Sequence, residues 1–170
     1  GNAGNDVFAV GYAPGRDYIA HYDGTSWSSG GAGTYDMLTA VWGSSGSDVF
    51  AVGYAHPSTD ILHYDGTSWS RFAGYIESYV GGFTGTWGSA ANDVLFVSYG
   101  GNVIHYDGIR LFPIGGWTTN ALNGIWGSSA SDIFVVGASG TILHYDGDYD
   151  SDGILDIDDT CPDVYSQDQT

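Results

Sequence analysis

One eight-residue pattern returns along the chain and constrains its fold more than any other feature. The sequence Gly-Ser-Ser-Gly-Ser-Asp-Val-Phe at residues 43–50 has related copies at residues 1–8, 88–95 and 127–134. A His-Tyr-Asp-Gly tetrad follows each copy, and the spacing between successive tetrads shows that the repeat is roughly 40 residues long. The tetrads begin at His21, His63, His105 and His144. Tandem repeats of this length build arrays in which each unit packs against its neighbours.

Each repeat contains four segments with strand character. In the second repeat they are residues 38–42, 49–54, 60–64 and 68–72. The dipeptide Asp65-Gly66 between the last two is typical of a tight hairpin turn, because glycine tolerates positive φ. Four antiparallel strands per roughly 40 residues form the blade of a propeller. The sequence therefore predicts an all-β fold over residues 1–145, a β-propeller-like array of four four-stranded blades.

The second strand-like segment of the repeat is apolar on both faces. Residues 49–52 read Val-Phe-Ala-Val without alternation, which predicts sheets covered on both sides by neighbouring blades. The tryptophans recur at equivalent positions and are predicted to pack between blades: Trp42, Trp87 and Trp126 at one position, Trp27 and Trp69 at another. A parallel β-solenoid is the structural alternative, although its repeats are usually shorter.

The first and last repeats are predicted to be incomplete blades. Gly1 aligns with the glycine that follows Trp42, so the first repeat lacks its opening strand, and the last repeat changes character after Gly147. Unpaired strand edges favour association with another chain. We expect a small ring, an arc of a larger ring, or a homo-oligomer formed through the open blade edges.

The recurring patterns Trp-Gly-Ser-Ser-x-x-Asp-Val-Phe-Ala-Val-Gly and His-Tyr-Asp-Gly-x-x-Trp resemble a family of bacterial secreted β-propeller repeats. The resemblance covers residues 1–147. It implies the propeller architecture and no particular activity, because propellers host lectins, scaffolds and enzymes alike.

The charge of the chain is strongly one-sided. It carries 20 acidic residues against 3 basic ones, for a formal net charge of −17. A nucleic-acid partner is not expected, because a phosphate backbone requires a basic surface, and an anionic membrane surface would repel the chain. No membrane span is expected either, since no hydrophobic run approaches the roughly 18 residues required.

Residues 146–170 form a separate acid-rich segment with regular spacing. From Asp148 onward, carboxylates stand at loop positions 1, 3, 5, 9 and 12, with a glycine at position 6. This is the spacing of a calcium-binding loop, because calcium takes six to eight hard oxygen ligands and glycine permits the sharp bend. The predicted Ca²⁺ ligands are Asp148, Asp150, Asp152, Asp156, Asp159 and the main-chain carbonyl of Ile154. A solvated acidic tail is the alternative.

The same segment, continued by Thr160-Cys161-Pro162, resembles a thrombospondin type 3 repeat. The resemblance implies that bound calcium replaces a hydrophobic core and that Cys161 pairs with a cysteine of a neighbouring repeat. Extracellular calcium modules bind the ion at roughly 0.1–1 mM, so we expect the chain to be extracellular or at the cell surface.

Two sets of repeated side chains are candidate functional residues. Tyr12, Tyr54 and Tyr99 follow the second strand at equivalent positions and are a possible ligand rim for stacking on sugar rings, with burial between blades as the alternative. The tetrad histidines lie one per blade and are predicted to be structural. Each is expected to hydrogen-bond the main chain or the aspartate that precedes Val or Ile: Asp6, Asp48, Asp93 or Asp132.

No set of unlike ionisable residues converges in the repeat pattern, so the chain is predicted not to be an enzyme. The expected function is a non-catalytic extracellular or cell-surface calcium-binding module for adhesion, partner binding or surface assembly. Its expected partner is a protein or glycan at the cell surface. A multivalent carbohydrate-binding propeller lectin is one alternative, and a subunit of a self-assembling extracellular fibre is another.

Overall fold

The computed structural model describes residues 4–13, 16–30, 37–54, 61–72, 81–114 and 118–147. Within these ranges the chain forms fourteen β-strands and one short 3-10 turn. The strands make four antiparallel sheets, which we call blades 1 to 4 in chain order. No helix in these ranges is long and apolar enough to cross a membrane.

The strands of each blade follow one another along the chain. Blade 1 contains β1 (Val7–Ala13), β2 (Arg16–Tyr22) and β3 (Trp27–Gly30). Blade 2 contains β4 (Met37–Ser45), β5 (Asp48–Tyr54), β6 (Ile61–Tyr64) and β7 (Trp69–Arg71). Blade 3 contains β8 (Phe83–Ala90), β9 (Asp93–Ser98), β10 (Val103–Tyr106) and β11 (Leu111–Pro113). Blade 4 contains β12 (Leu122–Ser129), β13 (Asp132–Gly137) and β14 (Ile142–Tyr145), with the 3-10 turn Ala138–Gly140 between the last two.

In every blade, consecutive strands are hydrogen-bonded neighbours in up-and-down order. Compared with the four-stranded blades 2 and 3, blade 1 has no described strand at the position of β4 and blade 4 has none at the position of β7. Every pairing is antiparallel, from β1 with β2 to β13 with β14. The predicted blades are confirmed in these residues, and the parallel solenoid is excluded for them.

The blades stack face to face, with β4 packed against β8 and β8 against β12. We call the face that carries Phe8, Phe50, Leu95 or Phe134 the front face of its blade, and the opposite one the back face. Each front face packs on the back face of the following blade, which creates one hydrophobic cluster per junction. In blade 2, residues 49–52 are all buried. The prediction of two covered faces is therefore confirmed for this blade.

The junctions between blades 2 and 3 and between blades 3 and 4 each contain a tryptophan that lies against a glycine of the next blade. A Cβ atom placed on Gly88 would lie 2.7 Å from the ring of Trp42, and one on Gly127 would lie 2.8 Å from the ring of Trp87. Glycine is therefore needed where the ring approaches the main chain. The Trp-Gly dipeptide of the repeat thus provides both halves of a contact between successive blades.

The innermost strands are also joined by threonine hydroxyls. The hydroxyl of Thr39 in blade 2 lies 2.9 Å from the main-chain oxygen of Phe83 in blade 3. The hydroxyl of Thr84 in blade 3 lies 2.6 Å from the main-chain oxygen of Leu122 in blade 4. These hydroxyl groups donate hydrogen bonds to carbonyl groups near the junctions. They thereby fix the position of blade 2 relative to blade 3 and of blade 3 relative to blade 4.

The tryptophans at the two ends of the array do not pack between blades. Trp27 of blade 1 is 57% exposed and Trp126 of blade 4 is 59% exposed. The predicted packing is therefore wrong for these two residues, although Trp42, Trp69 and Trp87 do pack against the hydrophobic clusters. The reason is positional, since no described blade covers the back of blade 1 or the front of blade 4.

The His-Tyr-Asp-Gly tetrads of blades 1 to 3 end in equivalent hairpin turns. In blade 2 the carboxylate of Asp65 accepts hydrogen bonds from the main-chain N–H groups of Thr67 and Ser68, each at 2.8 Å. Gly66 adopts a φ of +89°, and the hydroxyl of Tyr64 donates to the Gly66 carbonyl at 3.0 Å. The Asp-Gly turn predicted from the sequence is confirmed.

These turn hydrogen bonds make stability depend on the charge of Asp65. The N–H groups of Ser68 and Thr67 hold the pKa of the Asp65 carboxyl below its usual value. A lowered pKa stabilises the fold at pH values above the ordinary aspartate range, and the contribution is lost as pH falls through the lowered pKa. We expect Asp65→Asn to lower the melting temperature at pH 7, and we expect this effect to shrink as the pH falls through the lowered pKa and the carboxylate of Asp65 becomes protonated.

Thermal unfolding followed by circular dichroism at several pH values measures this difference. Asp65→Ala is the control, because it removes the acceptor as well as the charge and should remain destabilising at low pH. An Asp65→Asn effect of the same size at pH 7 and at pH 2–3 would contradict the assignment.

Candidate functional site

Each blade contains one histidine paired with one aspartate. When the strands of a blade are counted as in blade 2, the histidine lies on the third strand and the aspartate lies at the start of the second strand. Nε2 of the histidine donates a hydrogen bond to the carboxylate of that aspartate. The pairs are His21–Asp6, His63–Asp48 and His105–Asp93, each at 2.7 Å, and His144–Asp132 at 2.9 Å. The prediction that the histidines bond the repeated aspartates is confirmed by these distances.

A serine hydroxyl completes the pair in three of the blades. Ser44, Ser89 and Ser128 each donate to the second carboxylate oxygen of the aspartate in their blade. The serine therefore donates its hydrogen bond to the aspartate and not to the histidine. In a Ser-His-Asp triad the serine hydroxyl must donate to the histidine, so this arrangement does not activate the serine as a nucleophile. The arrangement closes the loop between the first two strands against the third strand.

The environment of two of these aspartates, Asp93 and Asp132, favours their charged form. Burial by itself raises the pKa of Asp93, but hydrogen bonds from His105 and Ser89 outweigh it, so the pKa lies below its usual value. At Asp132, hydrogen bonds from Ser128 and then from His144 also lower the pKa. A carboxylate that is held ionised by two donors is suited to fixing a loop and unsuited to donating a proton.

An aromatic ring lies against each histidine. Phe8 stacks on His21 with ring centroids 4.2 Å apart, and Phe134 stacks on His144 at 4.1 Å. The imidazole is thus held between a ring and a carboxylate in its own blade. Among the described residues, no three His, Cys, Asp or Glu side chains are grouped so that they could hold a metal ion.

The three tyrosines of the predicted rim occupy one end of the stacked sheets. Tyr12 lies near the end of β1 and Tyr54 ends β5, while Tyr99 directly follows β9. Their exposed fractions are 52%, 42% and 57%. The structure therefore places each of them half in solvent at the same end of successive blades, and we call this set the tyrosine rim.

One member of the tyrosine rim, Tyr54, is held at the junction between blades 2 and 3. A Cβ atom on Gly82 would lie 2.6 Å from the ring of Tyr54, so this ring rests on the main chain at the start of blade 3. Met37 pairs with Tyr54 in the register of β4 and β5 and is itself exposed. The sequence did not predict Met37 as a neighbour of the tyrosine rim, because that neighbourhood depends on the pairing of β4 with β5.

The predicted calcium ligands Asp148, Asp150, Asp152, Ile154, Asp156 and Asp159 lie outside the described residues. Cys161 lies outside them as well. The predicted calcium-binding segment therefore stays a prediction.

Comparisons with known proteins show likeness of structure only. No protein-family model matches the sequence, and no curated protein matches it. A solved structure described as YCF48 bound to D1 peptide has a TM-score of 0.59 and 14% identity, covering 81% of this chain and 50% of that one. The chain thus spans about half the length of that protein.

Two further solved structures are similar. The computationally designed protein Ika4 has a TM-score of 0.62 and 16% identity, with coverage of 84% of this chain and 86% of that one. A protein of unknown function from Bacteroides thetaiotaomicron VPI-5482 has a TM-score of 0.57 and 14% identity, over 85% of this chain and 41% of that one. With its up-and-down blades, the chain is an all-β protein with a β-propeller-like fold.

Proposed function

We propose that this chain is a non-catalytic, extracellular or cell-surface binding module whose tyrosine rim engages an extended segment of a partner protein. The observation that carries the proposal is the recurrence of a half-exposed tyrosine at the same end of three successive blades. Tyrosine is favoured at recognition surfaces because its ring offers a large contact area with few rotatable bonds, and its hydroxyl offers a hydrogen bond.

The spacing of the rim suits a polypeptide. Stacked sheets lie roughly 10 Å apart, and an extended chain advances about 3.3 Å per residue. A partner strand that crosses the rim would therefore bring about every third residue to a tyrosine. The ring of Tyr54 rests on Gly82, and this contact supports the proposal. A side chain that is already held in place loses little conformational entropy when the partner binds.

The charge of the chain favours a basic partner segment. With a net charge of −17, the chain attracts cations over a distance set by the salt concentration. The similar structure of YCF48 is described as bound to a peptide, which supports the view that this fold can present a peptide-binding surface. We therefore expect partner segments that combine arginine or lysine with aromatic residues.

Replacement of the rim tyrosines should weaken peptide binding. A phage-displayed library of random linear peptides, selected on the immobilised chain, is expected to yield basic aromatic sequences. The corresponding synthetic peptides should bind Tyr54→Ala about 10- to 30-fold more weakly, the loss expected for an aromatic residue that contributes strongly to an interface. Biolayer interferometry at two salt concentrations measures both the loss and the predicted weakening by salt.

Trp27→Ala is the matched control, since Trp27 is an aromatic residue of similar exposure that follows the hairpin turn at the opposite end of its blade. It should leave peptide binding unchanged. Failure to select any peptide, or equal binding by a Tyr12→Ala, Tyr54→Ala, Tyr99→Ala triple variant, would reject the proposal. Binding on a glycan array that depends on the same tyrosines would instead support the lectin.

We also propose that residues 148–159 bind calcium, on the strength of the ligand spacing in the sequence. Isothermal titration calorimetry with CaCl₂ is expected to give a dissociation constant of roughly 0.1–1 mM. The double variant Asp150→Asn, Asp152→Asn should abolish the signal, whereas Asp65→Asn should preserve it. Chelation should also speed the proteolysis of residues 148–170, since the six aspartates of residues 148–159 repel one another without the ion. Equal proteolysis with and without calcium would reject this proposal.

A further inference from the structure

Two members of the tyrosine rim, Tyr54 and Tyr99, contact the same dipeptide, Gly81-Gly82, which directly precedes β8. A Cβ atom on Gly82 would lie 2.6 Å from the ring of Tyr54, so this ring covers the main chain there. The main-chain N–H of Tyr99 donates to the Gly82 carbonyl at 3.0 Å. These two contacts set the position of one tyrosine relative to the other across the junction between blades 2 and 3.

Glycines line the surface between these two tyrosines. Gly81 and Gly100 are exposed there, and a Cβ atom on Gly81 would lie 3.3 Å from the main-chain nitrogen of Gly100. The other two junctions have larger residues at the repeat positions of this dipeptide, namely Asp36-Met37 and Asn120-Ala121. The main chain of a ligand can therefore pass close to the protein between Tyr54 and Tyr99.

The spacing of the rim favours one conformation of a bound peptide. Stacked sheets lie about 10 Å apart, which is the length of roughly three residues of an extended chain. In a β-strand, side chains three residues apart point to opposite faces, so only one of them could meet the rim. A polyproline II helix has three residues per turn and a rise of about 3.1 Å per residue. Its side chains three residues apart therefore lie on one side, at intervals of about 9 Å.

We propose that the tyrosine rim binds a basic, proline-containing segment of another protein in the polyproline II conformation, with prolines three residues apart on Tyr54 and Tyr99. This inference rests on the proposed function and names the class of partner. Proline-rich segments dock in grooves lined by aromatic residues, and their conformation is largely formed before binding, so little entropy is lost. The net charge of −17 favours basic residues between the prolines.

Two peptides of identical composition separate the spacing of the prolines from their number. Pro-Arg-Ala-Pro-Arg-Ala-Pro places the prolines three residues apart, and Pro-Arg-Pro-Arg-Pro-Ala-Ala places them two apart. Both are acetylated and amidated, and neither contains an aromatic residue, so only proline can stack on the tyrosines. Nuclear magnetic resonance titration of the isotope-labelled chain gives both affinities. We expect the first peptide to bind about 10-fold more tightly, because the second can place only one proline on the rim at a time.

Variants of the chain show where this preference arises. Tyr54→Ala and Tyr99→Ala should each weaken binding of the first peptide about 10-fold and remove its advantage over the second. Ile109→Ala is the control, because Ile109 is 90% exposed in the hairpin turn at the opposite end of blade 3, and it should bind both peptides like the unmodified chain. Circular dichroism melting should show all three variants folded, since the side chain replaced in each is exposed.

Equal affinity of the two peptides for the unmodified chain, or no binding of either, would overturn the proposal. So would a preference that persists in Tyr54→Ala and Tyr99→Ala, or an unchanged affinity when alanine replaces every proline of the first peptide. The peptides selected from the random library give a separate measurement. If those peptides bind through Tyr54 while the two proline peptides bind equally, the proposed function stands and the polyproline II inference is wrong. If no peptide of either kind binds, both proposals are wrong.

Discussion

Replacing Trp87 with alanine is expected to lower the free energy of unfolding by about 2–4 kcal/mol, somewhat below the range for a fully buried aromatic side chain because the ring is only partly buried. The ring of Trp87 lies against Gly127 of blade 4 and packs on the hydrophobic cluster between blades 3 and 4. The wall of the space at Gly127 is main chain and cannot move in to replace the lost ring. A cavity therefore remains between the two sheets.

Trp126→Ala is the matched control for this prediction. Trp126 occupies the same repeat position as Trp87 but is 59% exposed, so its removal is expected to cost less than about 1 kcal/mol. Urea unfolding followed by far-ultraviolet circular dichroism gives both free energies, at a protein concentration low enough to keep the chain monomeric. Equal losses in the two variants would show that the tryptophan stabilises its own blade and not the junction.

Phe50→Ala is expected to cost about 3–5 kcal/mol, for a different reason. The ring of Phe50 is almost completely buried and contacts rings from two blades. Its centroid lies 5.5 Å from that of Phe72 in its own blade, and 6.0 Å and 5.8 Å from those of Phe96 and Tyr106 in blade 3. Truncation removes the centre of the aromatic cluster that joins blades 2 and 3.

The chain itself supplies the control series for Phe50. Blade 3 carries Leu95 at this repeat position, so Phe50→Leu should cost less than about 1.5 kcal/mol because most of the volume is kept. Phe134→Ala, at the exposed front of blade 4, should cost less than about 1 kcal/mol. Denaturant titrations of the three variants are expected to show a much larger loss of unfolding free energy for Phe50→Ala than for the other two. Equal losses of unfolding free energy in Phe134→Ala and Phe50→Ala would contradict the difference in burial between the two rings.

Much of the local structure was predictable from the repeat. The period and the Asp-Gly turns located the strands of blade 2 to within a few residues, because turn residues and apolar runs act over short distances in the chain. The pairing of His63 with Asp48 was also predictable, since a regular repeat brings the same two positions together in every blade. The hydrogen bonds from Thr39 and Thr84 across the junctions were not foreseen, because a single threonine in a strand has no distinctive pattern.

The tyrosine rim was only partly predictable. Equivalent positions in the repeat indicated that Tyr12, Tyr54 and Tyr99 belong together, but the same pattern was compatible with burial between blades. The structure places them half in solvent at one end of the sheets, with Tyr54 resting on Gly82. That outcome depends on where the next blade begins, which is a relation between segments far apart in the chain.

The sequence by itself determined the four repeats of this chain, and it determined the strand order and the polar pairs of each blade because these follow from contacts inside one repeat. Only the tertiary structure decided which blade faces are covered. Trp87 and Trp126 occur in nearly identical local sequences, and so do Phe50 and Phe134, yet one member of each pair packs at a junction and the other is exposed. Burial depends on whether a neighbouring sheet is present to exclude water, and a residue's own repeat carries no information about that neighbour.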